Sequence, residues 1–116
     1  GTTQVSINAS PAIVSMHVEN IAMVLVVKRS SAQASATVTI LDANGKAIPG
    51  ATVSGKWSGI VSGTASASTD SSGSVKFTSA STKKSGTFTF TVTGITLAGY
   101  SYDSATNKET SDSITR

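Results

Sequence analysis

Asp42-Ala43-Asn44-Gly45 carries the side-chain oxygens that open a calcium-binding loop, so metal chemistry is sought there first. An EF-hand loop needs further oxygens and a Glu at its twelfth position. Counted from Asp42, that position is Val53, and the motif fails. What remains is a turn in which the Asp carboxylate accepts backbone N–H bonds. Asp70, in Asp70-Ser71-Ser72-Gly73, reads the same way. A weaker metal reading places Ca²⁺ on Asp103, Asn107 and backbone carbonyls; no metal site is assigned. Hydrolysis needs a nucleophile, a base and an orienting group that converge. The single histidine, His17, lies in an apolar-rich strand beside Glu19 and Asn20, and no G-x-S-x-G elbow is present. It reads as a partly buried boundary residue. A two-carboxylate glycosidase site needs acids facing across a cleft. Glu19, Asp42, Asp70, Asp103, Glu109 and Asp112 fall mostly in apparent turns or the terminal loop. No catalytic residue is assigned, and neither enzymatic activity nor a cofactor is expected.

Sugar binding is the better chemical alternative, because carbohydrate rings stack their apolar faces on exposed aromatics. Trp57, Phe77, Phe88 and Phe90 fit core positions. Tyr100 and Tyr102 remain, two residues apart and so on one face of a strand. With Asp103 and Asn107 beside them, these four are the candidate ligand-binding residues. The basic pairs Lys28-Arg29 and Lys83-Lys84 could serve an anionic polysaccharide, but nothing in the sequence brings them together.

The elements that would position these groups are strands. Thr87–Val92 alternates strictly, with Phe88, Phe90 and Val92 on one face and threonines on the other. Ala34, Ala36, Val38 and Ile40 share a second apolar face. Ala51, Val53, Gly55 and Trp57 share a third, and Val75 with Phe77 a fourth. Trp57 is expected between two sheets as the core anchor. Val38–Trp57 reads as two strands joined by a loop holding Asn44-Gly45 and Pro49-Gly50, a hairpin signal. A second unit of the same kind places Asp70–Gly73 between Gly63–Thr69 and Ser74–Thr78. Ile21–Val27 is apolar on both faces. It reads as a strand covered on both sides or crossing between sheets; the sharper reading is a surface for a neighbouring domain or protomer. Tyr100–Tyr102 and Ser113–Thr115 read as short strands, with residues 103–112 an irregular loop.

The chain has 116 residues, enough for one domain with its own core, and no cysteine, which excludes disulfides and thiolate metal sites. Ser and Thr make up about a third of it, and only 13% is charged against about 25% in typical domains. A hydroxyl surface of this kind favours an extracellular or cell-surface location. Net charge is +3 with the lysines scattered, so nucleic acid is not the expected partner. Ile21–Val27 is too short for membrane insertion. Residues 1–116 form a single domain in this reading, with 1–11 a linker or sequence added for expression.

Val38-Thr39…Asp42-Ala43-Asn44-Gly45…Ile48-Pro49-Gly50-Ala51-Thr52-Val53-Ser54-Gly55…Trp57, then Thr69-Asp70-x-x-Gly73, then Gly86-Thr87-Phe88-Thr89-Phe90-Thr91-Val92-Thr93-Gly94, resembles bacterial immunoglobulin-like domains. Both the invasin/intimin type of repeat and the Ig-like accessory module of secreted bacterial hydrolases are similar to it. The resemblance covers Ala36–Tyr102 and implies an all-β, Ig-like Greek-key β-sandwich of about seven antiparallel strands in two sheets. It also implies an accessory or spacer module of a larger extracellular bacterial protein, acting by domain positioning or adhesion. The expected partners are neighbouring domains. The alternative is a carbohydrate-binding module for an anionic polysaccharide. Ala67 and Val75 stand where the hydrolase-linked modules often carry cysteines. Tyr102-Asp103 and Asn107 match the start of an acidic segment that here continues only with Glu109 and Asp112.

Overall fold

The computed structural model describes residues 14–116, all of whose regular structure is strand apart from one 3₁₀ turn. The eight strands are β1 (Val14–Lys28), β2 (Ser31–Asp42), β3 (Thr52–Gly59), β4 (Gly63–Ser68), β5 (Ser74–Thr78), β6 (Thr87–Thr96), β7 (Tyr100–Tyr102) and β8 (Ser111–Thr115). They form two four-stranded sheets, β5-β2-β1-β7 and β4-β3-β6-β8. About seven strands were expected. Eight are present, and the last, read as Ser113–Thr115, begins at Ser111 and takes the end of the loop read as 103–112. The proposed linker or expression remnant, 1–11, lies outside the described residues.

Strict period-2 alternation makes the core. Ala34, Ala36, Val38 and Ile40 of β2 are fully buried, as are Phe88 and Phe90 of β6. Phe77 of β5 stacks on Phe90 across the gap between the sheets, ring centroids 4.8 Å apart, so both inner faces share one core. Trp57 lies in that core as expected, tilted against Phe90 at 5.0 Å; its indole N–H makes no hydrogen bond to a described residue. Beside it, Gly55 leaves the space that the Phe90 ring fills, since a Cβ there would overlap the ring. Here β3 and β6 shift register between Ser54 and Gly55.

Neither unit read as a hairpin joins neighbours in a sheet. β2 and β3 lie in different sheets, as do β4 and β5. Both lateral edges of β2 are occupied, by β1 and by β5, so the chain after Asp42 cannot pair onto it as a new strand. It doubles back for a single bridge, Leu41 to Ala47, then crosses to the other sheet. Asp42 Oδ1 accepts from the backbone of Asn44 (2.8 Å) and Lys46 (2.9 Å), the turn role assigned to it. Asp70 Oδ1 does the same for Ser72 (2.9 Å) and Ser74 (3.1 Å). The two crossings are locked together through Thr69, whose buried hydroxyl donates to Ile48 O (2.6 Å) and accepts from Ala51 N (3.0 Å). Gly73, at φ +77°, presses close against the Ile40 carbonyl, and its own carbonyl accepts from Ile40 N. A side chain at Gly73 would meet both strain and backbone.

Candidate functional site

β1 is the strand that organises every candidate residue. Its inner positions are Met16 and Val18, then Ile21, Met23 and Leu25. A bulge between Val18 and Asn20 switches the inward set from even to odd numbers. Beyond the bulge, Ala22 and Val24 point outward, and Val24 is 53% exposed. The Ile21–Val27 stretch is therefore covered on one face only and stays in one sheet, which corrects the reading of a strand covered on both sides or crossing between sheets.

The lateral edge of β1 opposite β2 is used in sections. At its start, Val14, Ser15 and Met16 pair in parallel with Tyr100, Ser101 and Tyr102. Next comes a strap built from residues 103–109. Asp103 N donates to Met16 O (2.8 Å), Asn107 Oδ1 accepts from Val18 N (2.7 Å), and Lys108 N donates to Val18 O (3.0 Å). Glu109 Oε1 then accepts from Ile21 N (2.8 Å). Thr110 already belongs to the other sheet, its carbonyl accepting from Val92 N. Past Ile21, the edge of β1 has no backbone partner among the described residues. Met23, Leu25 and Val27 follow Ile21 at spacing two, so their N–H and C=O groups face that open side.

The four candidate ligand residues divide between two jobs. Tyr100 is 36% exposed and lines an open cleft of ≈ 510 Å³ with Gly50, Thr52, Thr96, Leu97 and Ala98. Tyr102 is half-buried against the core, and its hydroxyl accepts from Asn107 Nδ2 at 2.6 Å. The two tyrosines do share a face, but only Tyr100 is presented at the cleft. Asp103 Oδ1 accepts from Ala105 N and caps the 3₁₀ turn Ser104–Thr106. Asn107 also donates to Thr110 Oγ1 (3.1 Å), so its amide is engaged at both ends. Asn107 and Asp103 are thus strap residues first, and a Ca²⁺ ion on them would compete with these bonds.

His17 and Glu19 meet outside the core. His17 Nε2 lies 3.0 Å from Glu19 Oε1, and Lys108 Nζ lies 3.0 Å from Glu19 Oε2. The His17 hydrogen bond, then Lys108, hold the Glu19 carboxyl below its ordinary range. No serine hydroxyl bonds to His17 among the described residues, so the geometry there is that of an ion-paired strap, not of a nucleophile and its base. Among the described residues no group of three or more His, Cys, Asp or Glu side chains could hold a metal ion. Sequence reasoning missed Glu109 and Lys108 as partners of β1, because their contacts join positions nearly ninety residues apart (|i−j| = 88 for Glu109 and Ile21). No protein-family model, curated protein or solved structure matches the chain.

Proposed function

We propose that this chain is an Ig-like Greek-key sandwich serving as a non-catalytic accessory or spacer module of a larger extracellular or cell-surface bacterial protein, where it positions domains or contributes to adhesion. The observation that carries this reading is the exposed apolar end of β1, where Val24 on the outer face and Val27 near the tip are 53% and 54% exposed, beside a strand edge without a backbone partner among the described residues. Long apolar edges left open are aggregation hazards, and proteins normally cover or charge them. A module docked against a neighbouring domain has that cover in its working state. The chain passes between sheets after β2, β4, β5, β6 and β7, which suits a Greek-key arrangement. An immunoblot of fractionated source cells, with antibody raised to this chain, tests the reading. A band well above 11.7 kDa in the surface or culture-fluid fraction is expected. A cytosolic band at the mass of the chain alone overturns it.

A second reading, carbohydrate binding, is favoured by the Tyr100 cleft. One exposed ring with hydroxyls of Thr52 and Thr96 at its rim matches the apolar-platform, polar-rim pattern of small-molecule sites. In affinity electrophoresis, a polysaccharide that retards the chain should no longer retard Tyr100→Ala; equal retardation of the two removes Tyr100 from the site.

A further inference from the structure

The fold assembles at one end of the molecule what the sequence keeps apart. Lys28 and Arg29 close the β1–β2 hairpin; Arg29 holds φ 51°, a left-handed conformation at its tip. Ala32, just past that tip, exchanges two 2.9 Å hydrogen bonds with Thr82, which docks the Lys83-Lys84 segment beside the hairpin. The end of β8 arrives at the same place. Arg116 N donates to Gly86 O (2.9 Å) and its guanidinium reaches Ser30 O (3.3 Å). Three segments far apart in sequence thus bring Lys28, Arg29, Lys83, Lys84 and Arg116 to one end. None of these side chains forms an ion pair among the described residues. Residues 28–34, 79–86 and 113–116 contain no Asp or Glu. Asp42 and Asp70 stand in turns at the opposite end, where β2 finishes and β5 starts.

We infer that this end binds an acidic polysaccharide, through its sulfate or carboxylate groups. Uncompensated like charges repel one another across the end, and an anionic polymer relieves that repulsion while gaining contacts along its length. Ser30, Ser31, Ser81, Thr82 and Ser85 flank the cations in sequence, and hydroxyl side chains suit the hydroxyls and acid groups of a sugar polymer. A single-stranded nucleic acid is the poorer fit. Such strands are gripped by stacking on aromatic rings, and the chain's aromatics lie in the core or at the Tyr100 end. The site is separate from the Tyr100 cleft and does not depend on it.

Titration of the full chain with dextran sulfate, with polygalacturonate and with neutral dextran tests this. Binding to at least one acidic polymer in 50 mM salt, none to neutral dextran, and loss in 0.5 M salt are expected, since exposed charges are screened within a few ångströms there. Lys83→Glu/Lys84→Glu should weaken binding at least tenfold, and so should Lys28→Glu, because the site is composite. Lys56→Glu/Lys76→Glu makes the same change in net charge on exposed residues elsewhere and should stay within twofold. Tyr100→Ala should also bind unchanged, which separates this site from the carbohydrate cleft. Melting curves confirm that each variant is folded. Three results overturn the inference: no binding to either acidic polymer, an equal loss in Lys56→Glu/Lys76→Glu, or tighter binding to duplex DNA or to phosphatidylserine vesicles than to the polysaccharides.

Discussion

Asn107 accepts from the Val18 N–H through Oδ1 and donates through Nδ2 to Tyr102 and Thr110. Its type was singled out as a ligand residue, yet its geometry is that of a backbone substitute. An amide side chain offers an acceptor and donors in one plane, so it can continue a ladder where the main chain turns away. Val18 is fully buried, and its N–H would be stranded without this partner. Leaving a buried donor unpaired costs about 1–3 kcal/mol. Asn107→Ala should therefore destabilise the fold by roughly that amount, measured by urea unfolding. Asn107→Asp keeps the acceptor for Val18 and should cost less. If both variants melt with the parent protein, the strap does not hold β1.

Strands whose inner residues recur at a strict spacing of two were fully legible, because alternation reports burial directly. The apolar faces of β2, β3, β5 and β6 were read at the residues that the core contains. Turn chemistry was legible only locally. Asp42 and Asp70 marked tight turns correctly, but a turn does not say whether the edges of the preceding strand are free. Both loops therefore read as hairpins when they are crossings between sheets. β1 was the least legible strand for two physical reasons. Its bulge breaks the alternation at the point where parity must be counted. Its cover comes from residues 103–109, whose polar composition reads as loop because the partner lies at the other end of the chain. The same limit hid the candidate sites. Tyr100 was found by eliminating core aromatics, whereas the gathering of Lys28, Arg29, Lys83, Lys84 and Arg116 depends on long-range pairing that no local pattern encodes.

For the molecule as a whole, charge sets the response to acid. Bonds from the Ser72 hydroxyl, then from the Ser74 and Ser72 backbone, hold the Asp70 carboxyl below its ordinary value, and Glu19 is lowered by His17 and then Lys108. Free Asp and Glu titrate near about 3.9 and 4.3. A carboxyl depressed by folding adds stability that is fully present above the unfolded value and is lost as pH falls through the folded one. Both contributions therefore hold at pH 5 to 7 and fade below about pH 4. As carboxylates protonate, the nine Lys and Arg side chains lose their compensation, and those gathered at one end repel most strongly. Melting temperature should accordingly be flat from neutral pH to about 5 and fall below about 4. Asp70→Ala should melt lower than the parent protein at pH 7, and the gap should narrow as pH falls below about 4 and the Asp70 carboxyl takes up its proton. Added salt should raise the melting temperature more at pH 3 than at pH 7, because at pH 3 more of the carboxylates that offset the cations are protonated and repulsion is what salt mainly screens. Scanning calorimetry across this range decides the matter. A gap between Asp70→Ala and the parent that stays constant down to pH 2 would mean that the charge of the Asp70 carboxylate contributes nothing, and no gap at pH 7 would mean that the turn is held by its backbone alone.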